Sequence, residues 1–176
     1  MHKFQRHIFL TVSVLLICST SQAADLDPVS ELSHSNSADI SQEGDFLVAE
    51  LSQTGSLNTA TISQQGSWHT LTALQSGTEN HLVTTQAGYG NSIEASQIGD
   101  YSYAVLSQIG DLNTGILNQV GISNYTSLIQ EGAQNTANIN QIGDSNFADV
   151  QQYGNNHAIS IEQNGDFQSI SIIQSD

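Results

Sequence analysis

QIGDSNFADVQQ, residues 141–152, decides the fold. Counting from Gln141, Gly follows at +2, Asn at +5, Ala at +7 and Val at +9, and Gln returns at +11. In a strand, side chains two apart share a face. Ala148, Val150 and Gln152 therefore point the same way, and an uncharged amide joins two side chains of core character. A lone buried amide would be an error, so the same position must be followed along the rest of the chain.

Gln recurs at 42, 53, 64, 75, 86, 97, 108, 119, 130, 141, 152, 163 and 174, thirteen positions at a spacing of 11 without a slip. Gly stands two places after Gln at 44, 55, 66, 77, 88, 99, 110, 121, 132, 143, 154 and 165, which uses 12 of the 14 glycines. Five places after Gln stands Asn58, Asn80, Asn91, Asn113, Asn124, Asn135 or Asn146, with Leu47, His69, Ser102, His157 and Gln168 as exceptions. Two places before Gln the chain carries Ile, Leu or Val, and four before mostly Ala. The intervening positions are Ser, Thr, Asn, Asp and Glu, which makes one alternating buried face per unit. Where position −2 is small or polar (Ala73, Thr84, Ala95), position −4 is large (Leu71, Leu82, Ile93), so volume is conserved across a shared interior.

An 11-residue period also fits a right-handed helical coil. A Gly in every unit would cost such a helix about 1 kcal/mol each, and the period-2 face favours strands. Gly and Asn three apart is turn chemistry, because both tolerate φ > 0. Each unit is thus expected to be a strand of about six residues and an arc of about five, and two units make one rung. The expected fold is all-β: a β-solenoid of 11-residue strand–arc units, two per rung, with two facing parallel in-register sheets. Thirteen strands stacked at ~4.8 Å make a column of roughly 30 Å. Stacking explains the amide. Each Gln lies over the Gln two units away and can pass a hydrogen bond along the column, as can the arc Asn.

Of 176 residues, 17 are acidic and only Lys3 and Arg6 are basic, which excludes nucleic-acid binding. Residues 1–23 have a cationic start, an 11-residue apolar run and Ser21 and Ala23 before the expected cut, so they read as a signal peptide. That run is too short for a membrane span, and none is expected after cleavage. Cys18 hints at a lipoprotein signal, but Ile17 stands where a small residue is wanted. Cleavage would leave no cysteine and a formal charge of −17, since every acid follows residue 24. Residues 24–35 form an N-terminal segment and 36–176 the solenoid.

The frame Gln-x-Gly-x-x-Asn-x-Ala-x-x-x-Gln resembles curlin repeats, the subunits of the curli amyloid fibres of bacterial biofilms. QIGDSNFADVQQ, QEGAQNTANINQ and QTGSLNTATISQ match it closely, and the resemblance covers about residues 36–176. It implies a structural, non-enzymatic subunit, secreted through a dedicated outer-membrane pore with accessory factors. Such a subunit polymerises at the cell surface with itself or another curlin subunit, for adhesion and biofilm matrix. The run SELSHSNSADISQEG is similar to the start of the minor, nucleating subunit, and residues 24–35 lack the Gly-rich leader of the major one. The repeats nearest the C-terminus lack the basic residues of the nucleator, so the major subunit stays open as the alternative.

No capping helix and no Pro after Pro28 is apparent, and the repeat continues to two residues past Gln174. Ile159, Ile161, Ile170 and Ile172 form the candidate assembly edge, since an open strand edge templates another copy. Asp100, Asp111, Asp144 and Asp166 follow the repeat glycines and are candidate gatekeepers; Asp144 and Asp166 fall in one column, where like charge opposes stacking. His34, His69, His81 and His157 form no ligand cluster, the Gly-Gly-x-Gly-x-Asp signature of calcium-binding β-rolls is absent, and no nucleophile with a base can be placed. No catalytic residue, metal or cofactor is therefore expected. Asn-Tyr-Thr at 124–126 fits a glycosylation pattern and is taken as chance. A soluble binding solenoid, such as an ice-binding protein, is the alternative of another class. It would need a flat Thr-x-Thr array, but the triplets at 59–61 and 70–72 fall on opposite sheets.

Overall fold

The computed structural model describes residues 36–176 and the backbone of residues 17–19. The expected signal peptide and N-terminal segment lie otherwise outside the described residues. In chain order the strands are β1 (Ile17–Ser19), β2 (Ser37–Asp45), β3 (Val48–Ser56), β4 (Thr59–Ser67), β5 (Thr70–Thr78), β6 (His81–Tyr89) and β7 (Ser92–Asp100). They continue with β8 (Tyr103–Asp111), β9 (Thr114–Ile122), β10 (Tyr125–Ala133), β11 (Thr136–Ile142), β12 (Phe147–Asn155), β13 (Ala158–Asn164) and β14 (Ser169–Ser175).

Odd and even strands segregate. One sheet runs β1-β3-β5-β7-β9-β11-β13 and the other β2-β4-β6-β8-β10-β12-β14, each seven-stranded and parallel. Register is constant from β2 to β14: Ile62 faces Thr84, Gln64 faces Gln86 and Gly66 faces Gly88. The chain is a two-sheet β-solenoid of about six turns, without a helix among the described residues, as the repeat predicted.

The core is the alternating face of both sheets. Leu51, Ile62, Leu106, Leu117, Leu128, Ile139 and Val150 are buried at position −2, and the swapped Leu71, Leu82 and Ile93 at position −4. Alternation on a pleated strand leaves the polar set outside, so a chain with modest apolar content still closes a continuous interior.

Two local expectations are corrected. Strands are mostly nine residues, not six, because Gly at +2 does not end them: Gly66 and Gly88 remain paired within the ladder. The left-handed residue is also not Asn. It is the one before it, at +4, with φ of 56–63° at Phe46, Leu57, Trp68, Glu79, Tyr101, Leu112, Ser123, Gln134, Ser145, Asn156 and Phe167, and 66° at Gly90. Asn at +5 keeps negative φ because its side chain must turn inward, as the bonding below requires.

Candidate functional site

The repeat positions build two kinds of column. In the first, each Gln amide donates to the Gln one rung toward the C-terminal end. Gln42, Gln64, Gln86, Gln108, Gln130, Gln152 and Gln174 form one such series, with Nε2–Oε1 distances of 2.7–3.0 Å beyond its first bond. Gln53, Gln75, Gln97, Gln119, Gln141 and Gln163 form the other, at 2.8–3.0 Å. The second amide proton is spent across the column, on the carbonyl at the start of a strand in the facing sheet: Gln75 donates to Thr59 at 3.0 Å and Gln108 to Ser92 at 3.0 Å. One amide therefore ties both neighbouring rungs and both sheets. Leu in its place would fill the space but make neither bond, and Glu would bring a buried charge.

The arc columns run on a different logic. The Asn80 backbone N–H donates to Asn58 Oδ1 at 3.0 Å, while Asn80 Nδ2 donates to the Gly99 carbonyl at 2.6 Å. Asn113 and Asn135 repeat the pattern on Gly132 and Gly154, and Asn91 and Asn124 hold Gly110 and Gly143. The glycine is required by this closeness: a Cβ on Gly110, at φ +112°, would fall 2.1 Å from the Gly132 carbonyl oxygen. Gly55, Gly66, Gly77, Gly88, Gly99, Gly121, Gly132 and Gly143 face the same contact with the next rung.

His69 is an Asn by function. It is fully buried. Its Nδ1 accepts the Asn91 backbone N–H at 3.1 Å and its Nε2 lies 3.0 Å from the Gln65 carbonyl. That pattern needs a neutral ring carrying its proton on Nε2. Its phase in the repeat, five places after Gln64, is the one signal in the sequence that pairs this histidine with the Asn column.

The aspartates are acceptors as well as charges. Asp166 Oδ1 accepts the Asp144 backbone N–H, Asp144 accepts that of Ile122 and Asp100 that of Thr78, each at 2.8 Å. Asp111 pairs in register with Ala133. At the C-terminal end Ile161 is buried, while Ile159, Ile170 and Ile172 are partly buried against the core. Among the described residues, no group of three or more His, Cys, Asp or Glu is placed to hold a metal ion, and no helix is long and apolar enough to cross a membrane. What the geometry offers is hydrogen-bonded columns that run to the outermost described strands.

The sequence model of the Curlin associated repeat matches residues 34–66, 132–165 and 143–175. These matches support the curlin family for this chain. No curated protein and no solved structure matches it.

Proposed function

We propose that this chain is a secreted subunit of curli-type amyloid fibres, and that it nucleates or joins fibre growth at the cell surface. The observation that carries this reading is the open edge. β13 and β14 are the outermost strands of their sheets, and both keep the register of the repeat to the edge. An in-register parallel edge with unpaired N–H and C=O groups is a template for a further strand. Curlin repeats and a β-solenoid are structural rather than enzymatic, and the family points to self-assembly outside the cell. Passage through an outer-membrane pore with accessory factors belongs to the same reading, as does the minor-subunit role; the major subunit is the alternative.

The test uses the chain without residues 1–23. Fibre diffraction with a strand spacing near ~4.8 Å along the axis, together with amyloid-dye binding, is expected. A chain that stays monomeric at high concentration sinks the proposal. The nucleator role is read separately: trace amounts of preassembled chain shorten the lag of a major curlin subunit, and an unchanged lag assigns the chain to the major class instead.

A further inference from the structure

The glutamine bonds and the backbone-to-side-chain bonds of the arcs have opposite polarity, and this fixes what each end of the molecule offers. Glutamines donate toward the C-terminal end, so Gln163 and Gln174 each spend one amide proton on a strand-start carbonyl, Phe147 and Ala158. Each keeps a proton that no glutamine above accepts. At the other end, among the described residues, Gln42 and Gln53 present Oε1 atoms without a glutamine below. In the arcs each side-chain acceptor takes the backbone N–H of the next rung, so these bonds run the other way, while Asn Nδ2 donates onward to a glycine carbonyl. His157 and Gln168 close these columns: each donates its backbone N–H to the rung below, to Asn135 Oδ1 and Asn146 Oδ1. Above them His157 Nδ1 and Gln168 Oε1 stand as open acceptors among the described residues. Donors thus meet acceptors only when the C-terminal end of one copy faces the N-terminal end of the next.

The count of strands then fixes the rotation. Among the described residues β2 to β14 are thirteen strands, an odd number in a two-strand rung, so β2 and β14 lie in the same sheet. The next strand of the series belongs on β13, in the other sheet. We propose that copies of this chain join head to tail with a half turn about the column axis, so that β2 of one copy extends β13 of the other and β3 extends β14. This rests on the fibre reading above.

The repeat phase supplies the pairs. Gln42 falls over Gln163 and Gln53 over Gln174. Inward, Ile40 falls over Ile161, Ala38 over Ile159, Leu51 over Ile172 and Ala49 over Ile170. In the arcs, the Asn36 N–H meets His157 Nδ1, as the Asn91 N–H meets His69 Nδ1 within the chain. An independent feature selects the same seat. Phe167 is the most exposed large apolar side chain, at 81 %, and Phe46 is 64 % exposed at the opposite end. The half turn places Phe46 over Phe167. Phe46 already stacks on Trp68 with ring centroids 4.2 Å apart, so the joint makes a three-ring stack.

An unturned copy would lay β2 on β14, take Phe46 away from Phe167, and leave a one-strand slot above β13 with unpaired backbone groups on both sides. In the half-turn seat β14 takes the edge of β3 that β1 borders at Ser52–Thr54. β1 belongs to the segment expected to be cleaved.

The experiment uses cysteine pairs in the chain without residues 1–23, which contains no other cysteine. Glu162→Cys with Ser41→Cys places thiols on neighbouring outward positions only under the half turn; Ile173→Cys with Ser41→Cys does so only without it. Within one copy neither pair can meet, since about six levels, or roughly 29 Å, separate the ends. Oxidation or a short bismaleimide applied to fibres should join the first pair into covalent ladders and leave the second monomeric. Crosslinking of the second pair, or of neither, overturns the half turn. Images of unmodified fibres give the second reading. The half turn gives about 31 Å per copy and a repeat of about 62 Å, against about 34 Å for unturned copies with the slot. Failure of the unmodified chain to form fibres would instead overturn the fibre reading itself.

Discussion

Gln97 lies midway along its column, and it shows what each repeat amide carries. It accepts from Gln75, donates to Gln119 and donates across the column to His81. Gln97→Leu keeps the volume but strands the Gln75 donor and the Gln119 acceptor and takes a bond from the His81 carbonyl. A cost of about 1–3 kcal/mol per orphaned group is expected, seen as a lower denaturant midpoint for dissolving fibres. Gln97→Glu should cost more, because a carboxylate cannot donate onward and brings a charge into a dry column. The position at +4 makes the opposite kind of prediction. Gln134 is exposed and held at φ 59°, where an L-residue pays about 1–2 kcal/mol. Gln134→Gly should therefore stabilise the fold by about 1 kcal/mol, less what the added freedom of the unfolded chain removes, and raise the midpoint accordingly. This strain was not legible in the sequence. Phe46, Trp68 and Leu112 carry no mark of a left-handed site, and the repeat drew attention to Gly and Asn on either side of it. The inward Gln was legible, because parity alone placed it beside Ala148 and Val150. Its cross-column bond was not, since that depends on how far the facing strand start stands from the amide.

At the scale of the strand, the outward columns combine attraction and repulsion. His81, Tyr103, Tyr125 and Phe147 start successive strands of one sheet and stack at 4.8–5.6 Å, nearly parallel from Tyr103 onward. Asp144 and Asp166 face the opposing pull. Their charges lie in one column, yet each carboxylate accepts a backbone N–H from the rung below. Two variants separate these roles. Asp144→Asn keeps an acceptor and removes the charge, so the lag before fibre growth should shorten. Asp144→Ala removes both, so part of that gain should be lost and fibre stability should fall. Equal lags for both variants would leave the charge as the sole contribution. Raising ionic strength should shorten the lag of the chain without residues 1–23, because copies carrying 17 acidic and no basic residues repel one another until screened. The acceptor role of Asp was hidden in sequence for a physical reason: a turn aspartate looks the same whether it faces solvent or the rung below.

For the whole molecule, the absence of cations has a practical result. No Lys or Arg follows Arg6, so trypsin should leave the chain without residues 1–23 intact even in denaturant, while a protease that cuts at aromatic residues should cleave the unfolded chain. Intact mass after each digestion checks both. The layered fold was readable from sequence because thirteen identical phases leave few ways to close an interior. The half-turn joint was not, since it needs both the strand count and the assignment of each strand to a sheet.

Constant register also limits how such a chain can change length over generations. Losing one residue between two repeat glutamines would turn every later strand inside out, with amides in solvent and serines in the core. Losing a whole 11-residue unit keeps every face correct but changes the parity of the stack. Losing 22 removes one storey and restores it. Viable insertions and deletions should therefore come in these two sizes, and only the larger should leave the joint between copies as it was.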